Sequence, residues 1–335
     1  MTGLGRAAII LLWLAGPGWG MGCAKGTPAV SALVVHPTNS RIIYVGTSSH
    51  IYKSRDGGES WVISDEGMGG VRVMSLALDP RSPAQLYAGT FGEAVWKSWD
   101  GGQHWVADNL GLKQHISIVN TILFDPELPA TMYLGSTVGV YKRDDPGVEW
   151  VERVAGMESV YVVPLVADPR HPGTFYAGTT GGVYKSLDRT EHWQPINDGL
   201  SIKAMGGALS HGVNVIVLHP THPETLYIGT TRGLFSSTNG GAHWTQNRTI
   251  PSGNVAALVI NPRDPAMMYA GGIGVFKTTD GGATWTAVST GLTNTAVRVL
   301  VMDPQEPQTL YAGTNGGVLK TIDGGQHWVS KPLGG

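Results

Sequence analysis

"TTDGGATW", residues 278–285, sets a hydroxyl, an acid, two glycines and a tryptophan in a fixed order. The phrase returns as "SRDGGESW" (54–61), "SWDGGQHW" (98–105) and "TIDGGQHW" (321–328). It also returns in altered spelling, as "RDDPGVEW" (143–150), "SLDRTEHW" (186–193) and "STNGGAHW" (237–244). An aspartate before paired glycines is turn chemistry. The carboxylate accepts nearby backbone N–H groups, and glycine takes the positive φ that other residues avoid. One turn spelled seven times in a chain of 335 residues signals an internal repeat.

The repeat runs through the whole unit. Its tryptophans are Trp61, Trp105, Trp150, Trp193, Trp244, Trp285 and Trp328, 41 to 45 residues apart with one gap of 51. Each lies five residues after Asp56, Asp100, Asp145, Asp188, Asn239, Asp280 or Asp323. Each unit has an X-Pro step, at Pro37, Pro80, Pro126, Pro169, Pro220, Pro262 and Pro304. A tyrosine follows each proline by seven residues, and a glycine follows each tyrosine by two.

In "VRVLVMDPQEPQTLYAGTNGGVLKTIDGGQHWVSKPL" the apolar run "VRVLVMD" reads as a buried strand, and "DPQEP" as a turn. "TLYAG", "GVLKTI" and "HWVSK" read as three more strands, separated by "TNGG" and "DGG" turns. Four short strands per ~40–45-residue period predict an all-β, seven-bladed β-propeller with antiparallel blades and the Asp-Gly-Gly turn between third and fourth strands. The register starts with an inner strand near Val30 and ends with an outer strand near Leu333, so no strand is borrowed from the other terminus. The expected organisation is a signal segment 1–23, a short linker 24–29 and one propeller over 30–335.

Composition agrees: 48 Gly and 20 Pro with only 14% charged residues suit turns and β-structure over long charged helices. Net charge is −2, which gives no basic field for nucleic acid. No cofactor motif appears, and the histidines beside the tryptophans (His104, His192, His243, His327) are spread around a rim, so no metal site is expected. Arg6, the apolar "AAIILLWLA" (7–15) and "GPGWGMGC" have the layout of a secretory signal. The single cysteine, Cys23, is a lipidation candidate because the segment resembles a bacterial lipoprotein signal. Export is therefore expected, to a periplasmic, lipid-anchored or extracellular location, with membrane contact only through the signal or lipid.

The phrase S/T-x-D-x-G-x-T-W resembles the Asp-box of the bacterial neuraminidase-repeat family. That group contains sialidases, xyloglucanases, sortilin-type receptors and photosystem II assembly factors. "TTDGGATW" matches it fully, and "SLDRTEHW" departs furthest by losing both glycines. The resemblance implies a propeller in which these turns are structural. It leaves function open, because the family holds enzymes, receptors and scaffolds. The missing glycines predict looser closure over Trp193 than over Trp285.

The Asp-Gly-Gly and proline turns fall on one face, the bottom, with constant spacing. Variation lies in the loops between blades at the top, above all in the longest connection, "SIKAMGGALSHG" (201–212). All seven inner strands begin with valine, and the next position varies: Ser31, Met74, Asn120, Val163, Asn214, Ala256, Arg298. Asn120, Asn214 and Arg298 are polar where the strand is apolar and need partners in ligand, water or one another. Arg72, Tyr161, Lys203 and His211 are placed around the same mouth. The expected role is a non-enzymatic exported scaffold that binds a protein or glycan through these residues. The alternative is a glycoside hydrolase of xyloglucanase or sialidase type. Against it, no F/Y-R-I-P phrase occurs, and the top-loop acids Asp65, Glu66, Glu93, Asp108, Glu158 and Asp198 show no evident pairing.

Overall fold

A computed structural model describes residues 28–113, 116–200 and 212–334. Cys23, Lys203 and His211 lie outside the described residues. The described chain is all strand and turn, with no helix. Twenty-eight strands form seven four-stranded antiparallel sheets, each from four consecutive strands. Blade one is β1 (Val30–Val35), β2 (Ile43–Thr47), β3 (Ile51–Ser54) and β4 (Val62–Ile63), and blade seven is β25 (Val297–Met302), β26 (Leu310–Thr314), β27 (Gly317–Thr321) and β28 (Val329–Lys331). The other inner strands are β5 (Val73–Leu78), β9 (Val119–Phe124), β13 (Val162–Ala167), β17 (Val213–Leu218) and β21 (Val255–Ile260). The register is the one the sequence predicts, and no strand is exchanged between the termini.

Why must a glycine follow each tyrosine by two? A Cβ on Gly46 would lie 2.5 Å from Val73 Cγ1, the first residue of the next inner strand. The same collision would occur at Gly135 with Val162 (2.7 Å), Gly178 with Val213 (2.6 Å) and Gly271 with Val297 (2.7 Å). At the seam it would occur at Gly313 with Val30 (2.5 Å). The valine of each blade therefore fills the space that the preceding blade leaves by having no side chain. The ring closes by this packing, and one core cluster spans Val30, Val45 and Trp61 of blade one and Val297, Leu310 and Trp328 of blade seven.

The repeated turn is a socket for the preceding blade. Its first glycine has positive φ and turns its carbonyl toward that blade. Gly101 O accepts from Tyr44 Oη (3.1 Å) and Lys53 Nζ (2.6 Å), and Gly57 O accepts from Tyr311 Oη (3.0 Å) and Lys320 Nζ (2.8 Å) across the seam. Lys185, Tyr227 and Lys277 reach Gly240, Gly281 and Gly324 in the same way. Inside the turn, the Asp280 carboxylate accepts from the Thr278 and Thr284 hydroxyls (2.7 and 2.6 Å) and from Thr284 N (2.9 Å).

The two interfaces without this bond are those whose turn has lost its first glycine, and both carry an ion pair instead. In blade three Arg143 takes the hydroxyl position. Its buried guanidinium donates to Asp108 (2.7 Å) and lies over the Trp150 ring, 4.4 Å from the centroid. In blade four Arg189 reaches back to Asp125 and Glu127 of blade three. Arg189 and Thr190 hold φ of 58° and 73° where other turns have glycine, so the turn keeps its shape at a strain cost.

Five of the seven tryptophans tie their blade to the connection before it, while the indole N–H groups of Trp61 and Trp285 have no partner. Trp105 Nε1 donates to Ser64 O (3.0 Å), Trp193 Nε1 to Arg153 O (3.0 Å) and Trp244 Nε1 to Ile196 O (2.7 Å). Six residues after six of the tryptophans stands a glycine of positive φ: Gly67, Gly111, Gly156, Gly199, Gly291 and Gly334. A Cβ on Gly156 would lie 2.1 Å from Trp193 O. Ile250 occupies this place after Trp244, and the indole N–H of Trp285 in the following blade has no hydrogen-bond partner. Trp193 is 2% exposed and hydrogen-bonded, Trp285 7% exposed and unpaired. The expected looser closure over Trp193 is therefore reversed.

Trp193→Ala is expected to cost ~3–5 kcal/mol, and Trp285→Ala no more than that. Melting curves of the two variants check the order. Gly156→Ala should cost more than the about 1–2 kcal/mol of a left-handed alanine. Gly281→Ala, with φ of 71° and open space around its Cβ, should cost about that much and no more.

The turn acids also set an acid limit. The Thr284 and Thr278 hydroxyls hold the Asp280 carboxyl at about 2, below its ordinary 3.8. A depressed carboxyl contributes stability above its unfolded value that is lost as pH falls toward its folded value. Asp280→Asn should therefore melt below the wild type at pH 7. The gap should close as pH drops from about 4 to about 2.

Candidate functional site

Each inner strand shifts register after its first valine. In six blades one residue bulges there, and in blade four Val163 and Pro164 do. A bulge re-aims a side chain out of the strand's alternation. The variable positions Ser31, Met74, Asn120, Val163, Asn214, Ala256 and Arg298 are the bulge positions. They lie at the top end of the inner strands, opposite the Asp-Gly-Gly turns. Bonds such as Gly57 N to Arg41 O (2.9 Å) and Gly101 N to Ala84 O (2.8 Å) set those turns beside the proline turns at the other end.

Two bulge residues have found partners in the next blade. Asn120 Nδ2 donates to Val162 O (2.8 Å), and Asn214 Nδ2 donates to Val255 O (3.0 Å) and Asn254 Oδ1 (3.1 Å). Both side chains are buried and bridge the channel-side edges of adjacent inner strands. Tyr161 is half-buried beside Asn120. Burial pushes its hydroxyl up from 10.0, against a lowering hydrogen bond with the Asn120 side chain. The structure thus joins Asn120 to Tyr161 and sets Asn214 apart from them, two blades on.

Arg298 and Arg72 are a different case. Arg298 is half-buried at the bulge of β25. Arg72 is exposed just before β5, with its guanidinium 5.9 Å from the centroid of the Phe91 ring. Phe91 is itself 50% exposed, and Phe91 N donates to Arg72 O (2.9 Å). Desolvation, and then the charge of Arg72, lowers the Arg298 pKa from 12.5, so the two cations lie within each other's field. Neither guanidinium has a hydrogen bond or carboxylate partner among the described residues, and residues 1–27, 114–115 and 201–211 contain no Asp or Glu.

The top-loop acids do not converge. Asp65 accepts from His50 Nδ1 (2.9 Å) and Ile51 N (3.1 Å), Asp108 from Arg143 and Asp198 from His243 Nδ1 (2.7 Å). Glu66 lies 3.4 Å from His104 Nε2. Glu93 and Glu158 are exposed. Among the described residues no group of three His, Cys, Asp or Glu side chains is placed to hold a metal ion.

At the top end, Arg298 and the Arg72–Phe91 contact are the cationic features without a carboxylate partner among the described residues. What sequence reasoning missed is the Gly-Val pairing, the Gly six residues after tryptophan, and the bulge itself. The glycine six residues after tryptophan was visible in six of the seven units, the Gly-Val pairing crosses connections of varying length, and the bulge leaves no spacing of its own.

No family model matches the chain, and no curated protein matches it. Solved structures match in fold. The GH74 xyloglucanase from Xanthomonas campestris is similar at TM-score 0.72 and 16% identity, over 97% of this chain and 56% of its own. The extracellular domain assigned to a hybrid two-component system from B. thetaiotaomicron is similar at TM-score 0.70 and 15% identity, over 92% of this chain and 40% of its own. YCF48 bound to D1 peptide is similar at TM-score 0.66 and 16% identity, over 89% of this chain and 94% of its own. The chain thus spans about half the length of the xyloglucanase. At these identities the likeness establishes the seven-bladed propeller alone.

Arg298→Met is expected to leave the melting temperature unchanged or to raise it, because a desolvated cation without a partner is a cost to the fold. Asn120→Ala should lower stability by about 1 kcal/mol by orphaning Val162 O. Thermal melts of the two variants measure both effects.

Proposed function

We propose that the chain is an exported Asp-box-type repeat protein whose top face binds a protein or glycan partner through an anionic group and performs no chemistry. The observation that carries this reading is Arg298, half-buried at the β25 bulge with no carboxylate partner among the described residues and within the field of Arg72. A fold retains such a cation at a cost when a ligand supplies the negative charge. The chain's similarity to YCF48 bound to D1 peptide supports a propeller of this size as a peptide-binding scaffold. Under this reading residues 1–23 are the export signal, 24–29 a linker and 30–335 the binding domain, with Cys23 the lipid attachment site of an anchored form. Asn120, Asn214 and Tyr161 shape the mouth, and Lys203 and His211 belong to the connection that borders it.

The second reading is a glycoside hydrolase, favoured by the fold-level similarity to the GH74 xyloglucanase. Hydrolysis by paired carboxylates needs two acids about 5–9.5 Å apart across the sugar. Four of the six top-loop candidates here already have a histidine or arginine beside them. One assay separates the readings. The purified mature domain is presented with xyloglucan oligosaccharides, sialosides and a panel of acidic peptides and uronate-bearing glycans. Retention of one anionic class, lost in Arg298→Met with the melting temperature unchanged, supports the scaffold. Turnover abolished by substituting one top-face Asp or Glu overturns it.

A further inference from the structure

The chain enters the propeller at the top. Its first strand, β1, begins at Val30, which pairs with Thr47 at the bulged end, and runs from there to the Pro37 turn. Cys23 precedes Pro28, the first described residue, by five positions. An extended chain covers at most ~3.6 Å per residue, so a lipid on Cys23 stands within ~18 Å of the top rim of blade one. β1 itself has six residues, which sets the bottom turns ~20 Å farther away.

Blade one sits between blades seven and two, joined to them by Val30 against Gly313 and Val73 against Gly46. The cations and two exposed apolar tips lie along the top of this sector. Arg72 stacks over Phe91 (50% exposed), and Ile273 (72% exposed) of blade six bridges to Ala296, two residues before Arg298. The position of Phe91 and Ile273 is Ser48, Thr137, Thr180, Thr231 and Asn315 in the other five blades, so the fold does not require an apolar residue there. Of the sector's acids, Asp65 and Glu66 lie beside His50 and His104, and Glu93 stands exposed at the Phe91 hairpin. The linker 24–29 adds Lys25 and no acid. Acids gather at the other end. The fourteen bottom turns hold 18 of the chain's 25 acids and 6 of its 23 lysines and arginines, and strand lysines such as Lys53 and Lys320 offset only part of the difference.

We infer that, in the anchored form, the top of blades six, seven, one and two docks on the membrane that holds the Cys23 lipid. Arg72 and Arg298 meet the phosphates of anionic phospholipids, and Phe91 and Ile273 enter the interface beside them. The inference rests on the proposed reading of Cys23 as a lipid attachment site, and extends the membrane contact beyond the lipid. Arginines near an anionic leaflet and apolar side chains beside them both favour this contact. The acidic turns point away, more than a Debye length from the surface. Asn120, Tyr161 and Asn214, on blades three to five, then remain for the partner.

The test uses residues 24–335, which keep all seven blades, and vesicles of phosphatidylcholine with or without phosphatidylglycerol. Co-sedimentation should show binding to the anionic vesicles alone, weakened when salt rises from about 0.05 to about 0.5 M. Arg298→Met should weaken it about fivefold, and Phe91→Ser with Ile273→Ser by at least about as much. Glu93→Gln should strengthen it. Trp99→Ser with Ile322→Ser, at the bottom, should leave it unchanged, and all variants should melt close to the wild type. In the lipid-anchored protein, a fluorophore on Thr293→Cys at the top should transfer energy to headgroup-labelled lipid more efficiently than one on Gln305→Cys at the bottom. Equal binding to both kinds of vesicle, equal loss in the bottom variant, equal transfer from the two labels, or a mature N-terminus without lipid overturns the inference. Capture of acidic peptides or uronate glycans with no vesicle binding also overturns it and leaves the proposed function standing. Vesicle binding with no such capture supports it and removes the protein or glycan partner.

Discussion

Seven blades must meet without a gap, and the contact that permits it is a valine against a glycine. The inner-strand valine of each blade occupies the volume that a side chain on the preceding blade's glycine would need. Close-packed interiors do not tolerate a methyl group with nowhere to go. The tyrosine two residues earlier then lies where its hydroxyl can reach the next blade's turn, as Tyr44 and Tyr311 do. Because Gly313 and Val30 make the same contact as Gly46 and Val73, the seam is chemically one more interface, and it needs no exchanged strand.

Much of this was legible in the sequence, and the limit has a physical cause. Constant spacing reports a constraint, so Pro, Tyr, Gly, Asp and Trp at fixed intervals gave blade number, strand order and register. Spacing says nothing of which residue of one unit meets which of the next. The valine and the glycine were both visible, but their pairing crosses a blade boundary. The altered turns "RDDPGVEW" and "SLDRTEHW" read as weakened copies for the same reason. Their compensation, Arg143 with Asp108 and Arg189 with Asp125, lies between blades. At the candidate site, Asn120 and Asn214 were legible as buried polar residues needing partners. That the partners are carbonyls of the next strand depends on a bulge, which the alternation of the sequence does not encode.

The ends of the ring follow different rules. At the bottom, five of the seven turns present a carbonyl to the neighbouring blade and six carry an aspartate, so carboxylates accumulate there whatever the protein binds. An acid in those turns is therefore weak evidence of a site. At the top the logic inverts. The bulges turn variable side chains toward the channel end of each strand, and Asn120 and Asn214 are satisfied there by the next blade.

Arg298 is the exception that gives the top face its chemistry. A bulge residue that reaches the next blade's carbonyl stabilises the ring, as Asn120 does. Among the described residues Arg298 makes no such bond, and it is partly withdrawn from water and sits in the field of a second cation. Each of these effects disfavours the charged side chain, and under the proposed function an anion beside the two guanidiniums would offset them together. Under the proposed function, the residue that costs the free protein stability is the one whose charge a ligand best compensates, so the energetic penalty of Arg298 and the affinity of the mouth would have a single origin.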